Sequence, residues 1–402
     1  YFHGAKVSLA PFFVIFYAWE LREFSQLYKK VAEKNDLSFG TDKIISVANM
    51  YFKADTKESS DDYMKTYNIM RMGDIAFEGN KSKNYAHGRF VENTIGDGIV
   101  SHVFDVFRPI TDYDLFFWKY MINNEGVMGR IMTRCTKAST MMTNLVADDF
   151  LKETISIPSI EEQRQIGAYF RTLDHLITLH QRKCETLQKL KKSMLQKMFP
   201  KNGSCFPEIR FAGFTDAWEQ RKLDELVKFY SGLTYKPEDV TENGTLVLRS
   251  SNVKNSEIVL TDNVYVDESV VNSDNVKKDD IIVVVRNGSK ALIGKHAKIR
   301  HSMPNTVIGA FMTGLRSDSP DFINALLSTE MFDKEIKMNM GATINQITGY
   351  MFANMEFMTP SFQERQAVGS FFSRLDDLIT LHQRKLETLK KLKKAMLQKM
   401  FI

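Results

Sequence analysis

Cysteine is scarce in this chain of 402 residues. Cys135, Cys184 and Cys205 lie far apart, form no CxxC pair and have no histidine cluster beside them. A disulfide scaffold needs paired cysteines, and a zinc site needs grouped cysteine and histidine ligands. The sequence therefore predicts no metal site and favours a reducing compartment, which we expect to be the cytoplasm.

Long hydrophobic runs are also missing. The strongest run, residues 9–19, is broken by Pro11 and is shorter than the roughly 20 residues of a membrane-spanning helix. The run has a weak basic leader at Lys6 and no A-x-A cleavage site after it, which argues against a secretion signal. With 43% hydrophobic and 26% charged residues, the composition is that of a globular protein, and the length predicts at least two domains.

Recognisable catalytic motifs are absent as well. The sequence contains no G-x-S-x-G, no HExxH and no Rossmann fingerprint. Residues 288–296 (GSKALIGKH) resemble a P-loop, but five residues separate the glycines where four are required, and His296 replaces the Ser or Thr. Asp321 with Glu335 and Lys337 matches a loose nuclease pattern that often arises by chance. We therefore predict a chain without catalytic residues.

The chain contains an internal repeat. Residues 158–199 match residues 360–401 at a constant offset of 202, with 28 of 42 positions identical and no gap. A shorter repeat opens each half, AWELREFSQL at 18–27 and AWEQRKLDEL at 217–226. The chain thus alternates between dissimilar and similar segments, and each half consists of a dissimilar segment followed by a similar one.

Each similar segment is predicted to be a long helix. Ser159 with Glu162, and Ser361 with Glu364, have capping-box spacing after a proline. A heptad seam then follows, which shifts by one residue near its end. The seam positions are Ile166, Phe170, Leu173, Ile177, His180, Cys184, Leu187, Leu190, Met194 and Met198, with Val368, Phe372, Leu375, Ile379, His382, Leu386, Leu389, Leu392, Met396 and Met400 in the second copy.

Neither helix can bury its stripe alone, so we predict an antiparallel coiled coil of about 60 Å. We expect His180 and His382 to pack as polar core residues rather than to bind a metal. The basic helix ends could instead bind membranes or calmodulin, but a solvated lysine face is the usual explanation.

The dissimilar segments are predicted to be α/β (α+β) domains. Short β-branched runs lie at 43–52, 73–82, 246–253, 258–266 and 280–289, and residues 321–340 have a helical pattern. Polar turns close the segments at 133–140 and 340–348. We therefore divide the chain into a first domain (1–157), a first helix (158–200), a second domain (201–359) and a second helix (360–402).

From Trp19 onward, the chain resembles the specificity subunits of bacterial type I restriction-modification enzymes, especially Gram-positive, staphylococcal-type members. The resemblance rests on the duplicated PSxxE...LDxLITLHQRK...LKKxMLQKMF, on PEIRFAGFTDAWEQRKLDEL, and on DDIIVVVRNGSKALIGKHAKI. It implies two target recognition domains, each reading one half of an asymmetric, bipartite DNA site. It also implies that the helices set the spacer between the half-sites.

The resemblance further implies partners for this chain. These are double-stranded DNA, two methyltransferase (modification) subunits that bind S-adenosylmethionine, and motor-nuclease (restriction) subunits that use ATP and magnesium. Adenine methylation and DNA cleavage would then be the work of the partners, with no cofactor bound by this chain and no membrane contact. The alternative is a non-catalytic, two-headed coiled-coil scaffold for protein partners.

Bases are read by amide and guanidinium groups, whereas lysines and hydroxyls hold phosphates. Polar residues in the loops of each domain are therefore the candidates for DNA contact. In the first domain they are Asn49, Tyr51, Lys53, Asn80, Lys81, Ser82, Lys83, Tyr85, Thr136, Lys137 and Ser139. In the second domain they are Tyr235, Lys236, Arg249, Ser250, Asn252, Arg286, Asn287, Ser289, Lys290, Thr343, Asn345 and Gln346.

The net charge of +5 does not support DNA binding by itself. Residues 158–200 carry +4 and residues 360–402 carry +5, whereas the two dissimilar segments carry −1 and −3. The positive charge therefore belongs to the helices, and the domains must concentrate a few cations in their loops.

Overall fold

A computed structural model of the chain describes residues 19–53, 60–138, 142–201, 203–340 and 345–401. The chain divides into two compact units. The first combines Tyr1–Leu179 with Lys385–Ile402, and the second is His180–Arg384. Each unit thus contains one dissimilar segment and parts of both long helices.

The first unit is built around an antiparallel sheet of four strands, in the order β2-β9-β6-β7. Its elements are β1 (Glu20–Glu23), α1 (Phe24–Leu27), β2 (Tyr28–Val31), β3 (Ile45–Ser46), β4 (Tyr51–Phe52), α2 (Asp61–Met64), β5 (Asn68–Met70), β6 (Ile75–Glu78), β7 (Arg89–Glu92), β8 (Gly98–Val100), β9 (Val106–Pro109), α3 (Leu115–Met121), α4 (Glu125–Cys135), β10 (Thr136–Ala138), β11 (Thr143–Leu145), α5 (Ala147–Lys152), β12 (Thr154–Ile157) and the start of α6 (Ile160–Lys197).

Successive side chains along a strand point to opposite faces of this sheet and pack in different hydrophobic cores, as the two-residue period of a strand requires. Ile75 and Phe77 of β6 pack with Phe107 in the main core, to which α3 contributes Phe117, Trp118 and Tyr120 and α5 contributes Phe150. Ala76 and Val106 pack in a second, smaller core. Both faces of the sheet are therefore covered.

The second unit has the same plan. Its elements are β13 (Glu219–Lys222), α7 (Leu223–Leu226), β14 (Lys228–Ser231), β15 (Val240–Thr241), β16 (Thr245–Leu248), β17 (Val253–Lys254), β18 (Glu257–Ile258), β19 (Val264–Val266), β20 (Ile281–Val284), β21 (His296–Lys298), β22 (Thr306–Ile308), β23 (Met312–Arg316), α8 (Pro320–Leu326), α9 (Glu330–Asn339), α10 (Gly349–Ala353), β24 (Glu356–Thr359) and α11 (Phe362–Met400), whose end lies in the first unit. The central sheet has the order β14-β23-β20-β21, and a second sheet has the order β15-β19-β16-β22.

The two central sheets correspond strand by strand, although their sequences differ. The two units also share a two-stranded antiparallel sheet that begins in the repeated AWE segment, β1 with β12 in the first unit and β13 with β24 in the second. In each unit, the second strand of that sheet lies directly before the long helix that follows the domain. The same frame thus carries two different sets of loops.

A buried aspartate directly precedes the equivalent strands β6 and β20 of the two central sheets. Asp74 accepts a hydrogen bond from the backbone of Arg71 at 2.8 Å, and Asp280 accepts one from Lys277 at 2.9 Å, which closes the same turn in both domains. An arginine from the neighbouring strand pairs with each carboxylate, Arg108 with Asp74 at 2.9 Å and Arg316 with Asp280 at 3.2 Å. This turn explains why an aspartate directly precedes both β6 and β20, in Gly73-Asp74 and in Asp279-Asp280.

The long helices pair in antiparallel fashion within each unit. Phe170 and Leu173 are buried in the first unit, and Phe372 and Leu375 in the second, as the seam predicts. His180 and His382 face each other in the second unit with their Nδ1 atoms 2.8 Å apart.

The predicted shift of the seam is wrong at Leu190 and Leu392, which are 39% and 37% exposed. Beyond Leu187, Leu195 of α6 and Met198, directly after its end, pack in the core of the second unit. The domain core therefore replaces the partner helix as the apolar surface at this end of the helix.

The serine half of each predicted capping box is present, because Ser159 and Ser361 accept from the backbone N–H of Glu162 and Glu364 at 3.3 and 3.4 Å. The two carboxylates bind elsewhere. Glu162 accepts from Trp19 Nε1 at 3.3 Å, and Glu364 pairs with Arg210 at 2.7 Å.

Each domain core also contains the phenylalanine that follows a long helix. The ring of Phe401 lies 5.6 Å from the rings of Phe117 and Phe170 in the first unit. In the second unit, the ring of Phe199 lies 5.7 Å from that of Phe322. The end of the second helix thus completes the first domain, and the end of the first helix completes the second.

Candidate nucleic-acid interface

The structure brings three of the predicted loop segments of the second domain together. Arg286 and Gln346 form an isolated antiparallel bridge. The backbone N–H of Asn287 donates to Asn345 O at 3.2 Å, and Asn345 Nδ2 donates to Gly288 O at 2.9 Å. Asn287 Nδ2 also donates to Ser250 Oγ at 3.0 Å. Segments separated by about 100 residues of chain therefore meet at one end of the central sheet.

The aromatic ring of Phe311 belongs to this surface, and the sequence reasoning missed it. The guanidinium carbon of Arg286 lies 5.0 Å from the centre of the ring, in cation-π geometry. The carbonyl of Phe311 accepts from the backbone N–H groups of Val285 and Arg286. Both side chains are exposed, so the stacked guanidinium is accessible while its orientation is restrained.

The loop of residues 231–236 (SGLTYK) lies beside Phe311. Ala310 N donates to Leu233 O at 2.9 Å, and Leu233 bridges Gly309. Tyr235, two residues further on, is half-buried against the second sheet, whereas Lys236 is exposed with its Nζ 3.8 Å from Glu238. Lys290 and Ser289 are exposed in the loop after β20.

Two of the predicted residues are engaged inside the second domain. Asn252 is fully buried, and its amide accepts from Arg249 N and donates to Val259 O and Thr261 O. Arg249 Nη2 pairs with Asp262 at 2.8 Å. In this arrangement, Asn252 shapes the loop and exposes no edge to a base, and Arg249 would have to leave Asp262 to bind DNA.

The equivalent surface of the first domain is organised by Arg89, which was not predicted either. Arg89 Nε donates to Glu78 at 2.8 Å and Nη2 donates to Ala48 O at 2.6 Å. Its guanidinium also lies over the ring of Tyr85, 4.9 Å from the centre. Burial is the largest influence on the pKa of Arg89 and opposes its charge, but the hydrogen bonds and charges of Glu78 and Tyr85 together outweigh burial and raise the pKa, so the guanidinium stays charged.

The remaining candidates of the first domain lie in the segment 49–53, in the loop after β6 and on β10. Asn80 Nδ2 donates to Glu78 at 3.1 Å, and Thr143 N donates to Gly79 O at 2.8 Å, which joins the β10–β11 hairpin to the loop after β6. Seven of the candidates are exposed: Asn49, Tyr51, Lys53, Lys81, Ser82, Lys83 and Lys137.

The side chains of Tyr85 and Thr136 are engaged internally, since Tyr85 donates to the side chain of Asn123 and Thr136 Oγ1 to Met132 O at 2.5 Å. Two candidates, Ser139 and Thr343, fall outside the described residues.

The near-matches to catalytic motifs have structural partners. Asp321 at the start of α8 pairs with Lys298, and Glu335 Oε2 on α9 accepts from Asn339 Nδ2 at 3.3 Å. His296 is buried, and its Nε2 lies 3.1 Å from Ser328 Oγ. Within the described ranges, no three histidine, cysteine, aspartate or glutamate side chains are grouped as metal ligands. Among those residues, no helix is both long and apolar enough to cross a membrane.

Known proteins are similar to this chain in sequence. The "Type I restriction enzyme MjaVIII specificity subunit" of Methanocaldococcus jannaschii is 27% identical over 254 residues, which is 60% of each chain. The "Putative type I restriction enzyme MjaX specificity subunit" of the same organism is 22% identical over 257 residues, 60% of this chain and 57% of that one. The chain thus spans about three fifths of the length of these curated relatives.

A solved structure has a similar fold, the type I restriction-modification system S subunit from M. genitalium. It superposes with a TM-score of 0.61 at 16% identity and covers 96% of both chains. The sequence profile described as "Type I restriction modification DNA specificity domain" matches residues 19–189 and 215–391. These two matches include both domains and most of both long helices, and the chain therefore belongs to the family of type I restriction-modification DNA specificity domains.

Proposed function

We propose that this chain is the DNA-recognition subunit of a type I restriction-modification complex. One observation carries the proposal: two sheets of identical strand order present, at equivalent places, loop surfaces with different side chains. Arg89 over Tyr85 organises one surface and Arg286 over Phe311 the other. Duplicated frames suit the local two-fold symmetry of duplex DNA, while different side chains read different bases in each half-site.

The reading residues of the second domain are the exposed ones of the converging loops. Arg286 is assigned to a base, because a guanidinium pairs with guanine through two hydrogen bonds. Asn287, Asn345 and Gln346 support the loops or contact neighbouring bases, and Lys236, Ser289 and Lys290 hold phosphates. Asn252 has a positioning role.

In the first domain, the exposed Asn49 and Asn80 are assigned to bases, and Lys53, Lys81, Lys83 and Lys137 to phosphates. The exposed ring of Tyr51 offers an apolar contact to DNA beside them.

The rest of the complex follows from the family. Two methyltransferase subunits carrying S-adenosylmethionine would dock on this chain, and motor-nuclease subunits using ATP and Mg²⁺ would join them in the cytoplasm. Methylation and cleavage would then be performed by these partners. The two long helices set the unread spacer between the half-sites.

Binding to a random duplex pool tests the proposal. We expect the full chain, purified with its methylation partner, to select duplexes with two fixed half-sites separated by an unread spacer of one length. Binding should weaken steeply with salt, because phosphate contacts release counterions. A two-headed protein scaffold would select no sequence, and that result would overturn the proposal.

A further inference from the structure

The helical repeat varies at one informative position. Residues 173–183 read LDHLITLHQRK and residues 375–385 read LDDLITLHQRK, so that His175 stands where the second copy has Asp377. Asp377 accepts a hydrogen bond from Arg300 Nη1. Arg300 lies two residues beyond the end of β21, the edge strand of the central sheet. The position that differs between the two copies is therefore a contact between α11 and the second domain.

Glu257 on β18 forms a second contact between the domain and α11. Its Oε1 accepts from Thr380 Oγ1 at 2.9 Å and lies 3.1 Å from Arg300 Nε. The side chains of Glu257 and Arg300 are only 21% and 22% exposed. Half-buried, charge-assisted hydrogen bonds of this kind are shorter and stronger than those between neutral groups. We call Glu257, Arg300, Asp377 and Thr380 the clamp.

The hairpin that carries Glu257 is short and stiff. β17 and β18 are joined by Asn255 and Ser256, which have φ angles of 53° and 60°. Two positive φ angles are the signature of a type I′ turn, whose twist matches that of the strands. The tip of this hairpin shares a cleft with Gln188 of α6 and Gln383 of α11. The clamp therefore joins helix, hairpin and sheet edge.

We propose that the clamp is a specificity device that fixes the angle of the second recognition domain on α11 and so restricts the accepted spacer. The inference rests on the proposed function. One added base pair turns the second half-site by about 34° and moves it by about 3.4 Å along the duplex. A domain tied to α11 by both contacts resists such a rotation, whereas a domain without them can follow it more readily while its reading loops stay intact.

Methylome sequencing of cells that express the full chain with its methylation partner tests this inference. Asp377→His copies the first half of the chain, Glu257→Gln removes the second anchor, and Asp377→Glu keeps the charge. His175→Asp is the matched control on the other helix. We expect Asp377→His and Glu257→Gln to lower discrimination against spacers one base pair longer or shorter about tenfold, which corresponds to about 1.4 kcal/mol. Asp377→Glu and His175→Asp should retain the parental spacer.

The outcomes separate the two proposals. If the unmodified chain yields no bipartite motif, the proposed function fails. If it yields one and both clamp variants keep its spacer discrimination, or relax the half-site bases instead, the clamp has no role in spacing. The side chain of Asp377 is 63% exposed, so Asp377→His decides the question even if Glu257→Gln unfolds the domain.

Discussion

Lys191 Nζ on α6 lies 2.6 Å from Asp376 Oδ1 on α11, and the pair recurs 202 residues along the chain as Lys393 and Asp174, 2.5 Å apart. The first pair lies in the second unit and the repeated pair in the first. The same ion pair thus joins α6 and α11 in each of the two units. The duplication has kept the interhelical contact while the domains diverged.

The two pairs differ in burial, and their removal should have different effects. Asp376 is 14% exposed and Asp174 is 34% exposed. Lys191→Ala would leave a largely buried carboxylate without its cation and should lower the free energy of unfolding by about 1–3 kcal/mol. Lys393→Ala should cost less, because solvent screens the remaining charge. Urea unfolding of both variants measures this, and an equal or larger loss for Lys393→Ala would contradict the argument.

The phenylalanines at the helix ends should stabilise the domain that each one enters. Phe401 and Phe199 are 4% and 2% exposed and are surrounded by aromatic rings. Replacing either with alanine should cost about 3–5 kcal/mol through lost burial and a cavity. Hydrogen exchange should show faster exchange in the first unit for Phe401→Ala and in the second for Phe199→Ala. Exchange that rises in the opposite unit would rule out this assignment.

A buried carboxyl group should make the stability of the first unit fall as the pH rises above about 4.5. Glu92 is 3% exposed, and neither of its carboxylate oxygens has a hydrogen-bond partner among the described residues. Burial and the nearby charge of Asp114 raise the pKa of Glu92 well above its usual 4.5, although Lys119 acts in the opposite direction. The folded state therefore keeps a proton that the unfolded chain loses.

Glu92 therefore does not lower the free energy of unfolding below about pH 4.5. As the pH rises from there towards the raised pKa, the free energy of unfolding falls by up to about 1.4 kcal/mol for each pH unit. Glu92→Gln removes this dependence. The melting temperature of the natural chain should fall relative to the variant between about pH 5 and pH 8. A constant difference across that range would show that Glu92 is ionised in the folded state.

Base reading and phosphate contact can be distinguished in the second domain. Arg286→Ala should cost about 1–3 kcal/mol of binding and remove discrimination at one base pair, if the guanidinium pairs with guanine. Lys290→Ala should weaken binding uniformly and reduce the salt slope by about one. Titration of single-substitution duplexes at several salt concentrations measures both effects. Unchanged discrimination in Arg286→Ala would remove this residue from the reading set.

The fold followed from local and periodic signals in the sequence. The offset of 202 and the heptad spacing predicted the paired helices, and β-branched runs predicted β6, β16 and β20. The predicted seam is wrong at Leu190 and Leu392, which are exposed. Residues beyond Leu187 pack on a domain core instead of on the other helix, and helical periodicity does not show which surface a helix contacts.

The candidate surface was harder to predict because long-range contacts assemble it. Arg89 reaches Ala48 across 41 residues, and Phe311 meets Arg286 only after β20, β21 and β23 have paired. Asn252 has the chemistry of a base reader, yet its amide binds the backbone of its own loop. Residue type indicates what a side chain can bind, whereas burial determines whether it is accessible.

The division of labour between the domains is tested most directly by methylome sequencing of cells that express the chain and its methylation partner, with Arg286→Ala and Asn80→Ala as single variants. We predict that Arg286→Ala changes the bases of one half of the bipartite motif and Asn80→Ala those of the other half. The spacer should be unchanged in both. If either variant alters both halves, or the motif is not split, the assignment of one half-site to each domain is wrong.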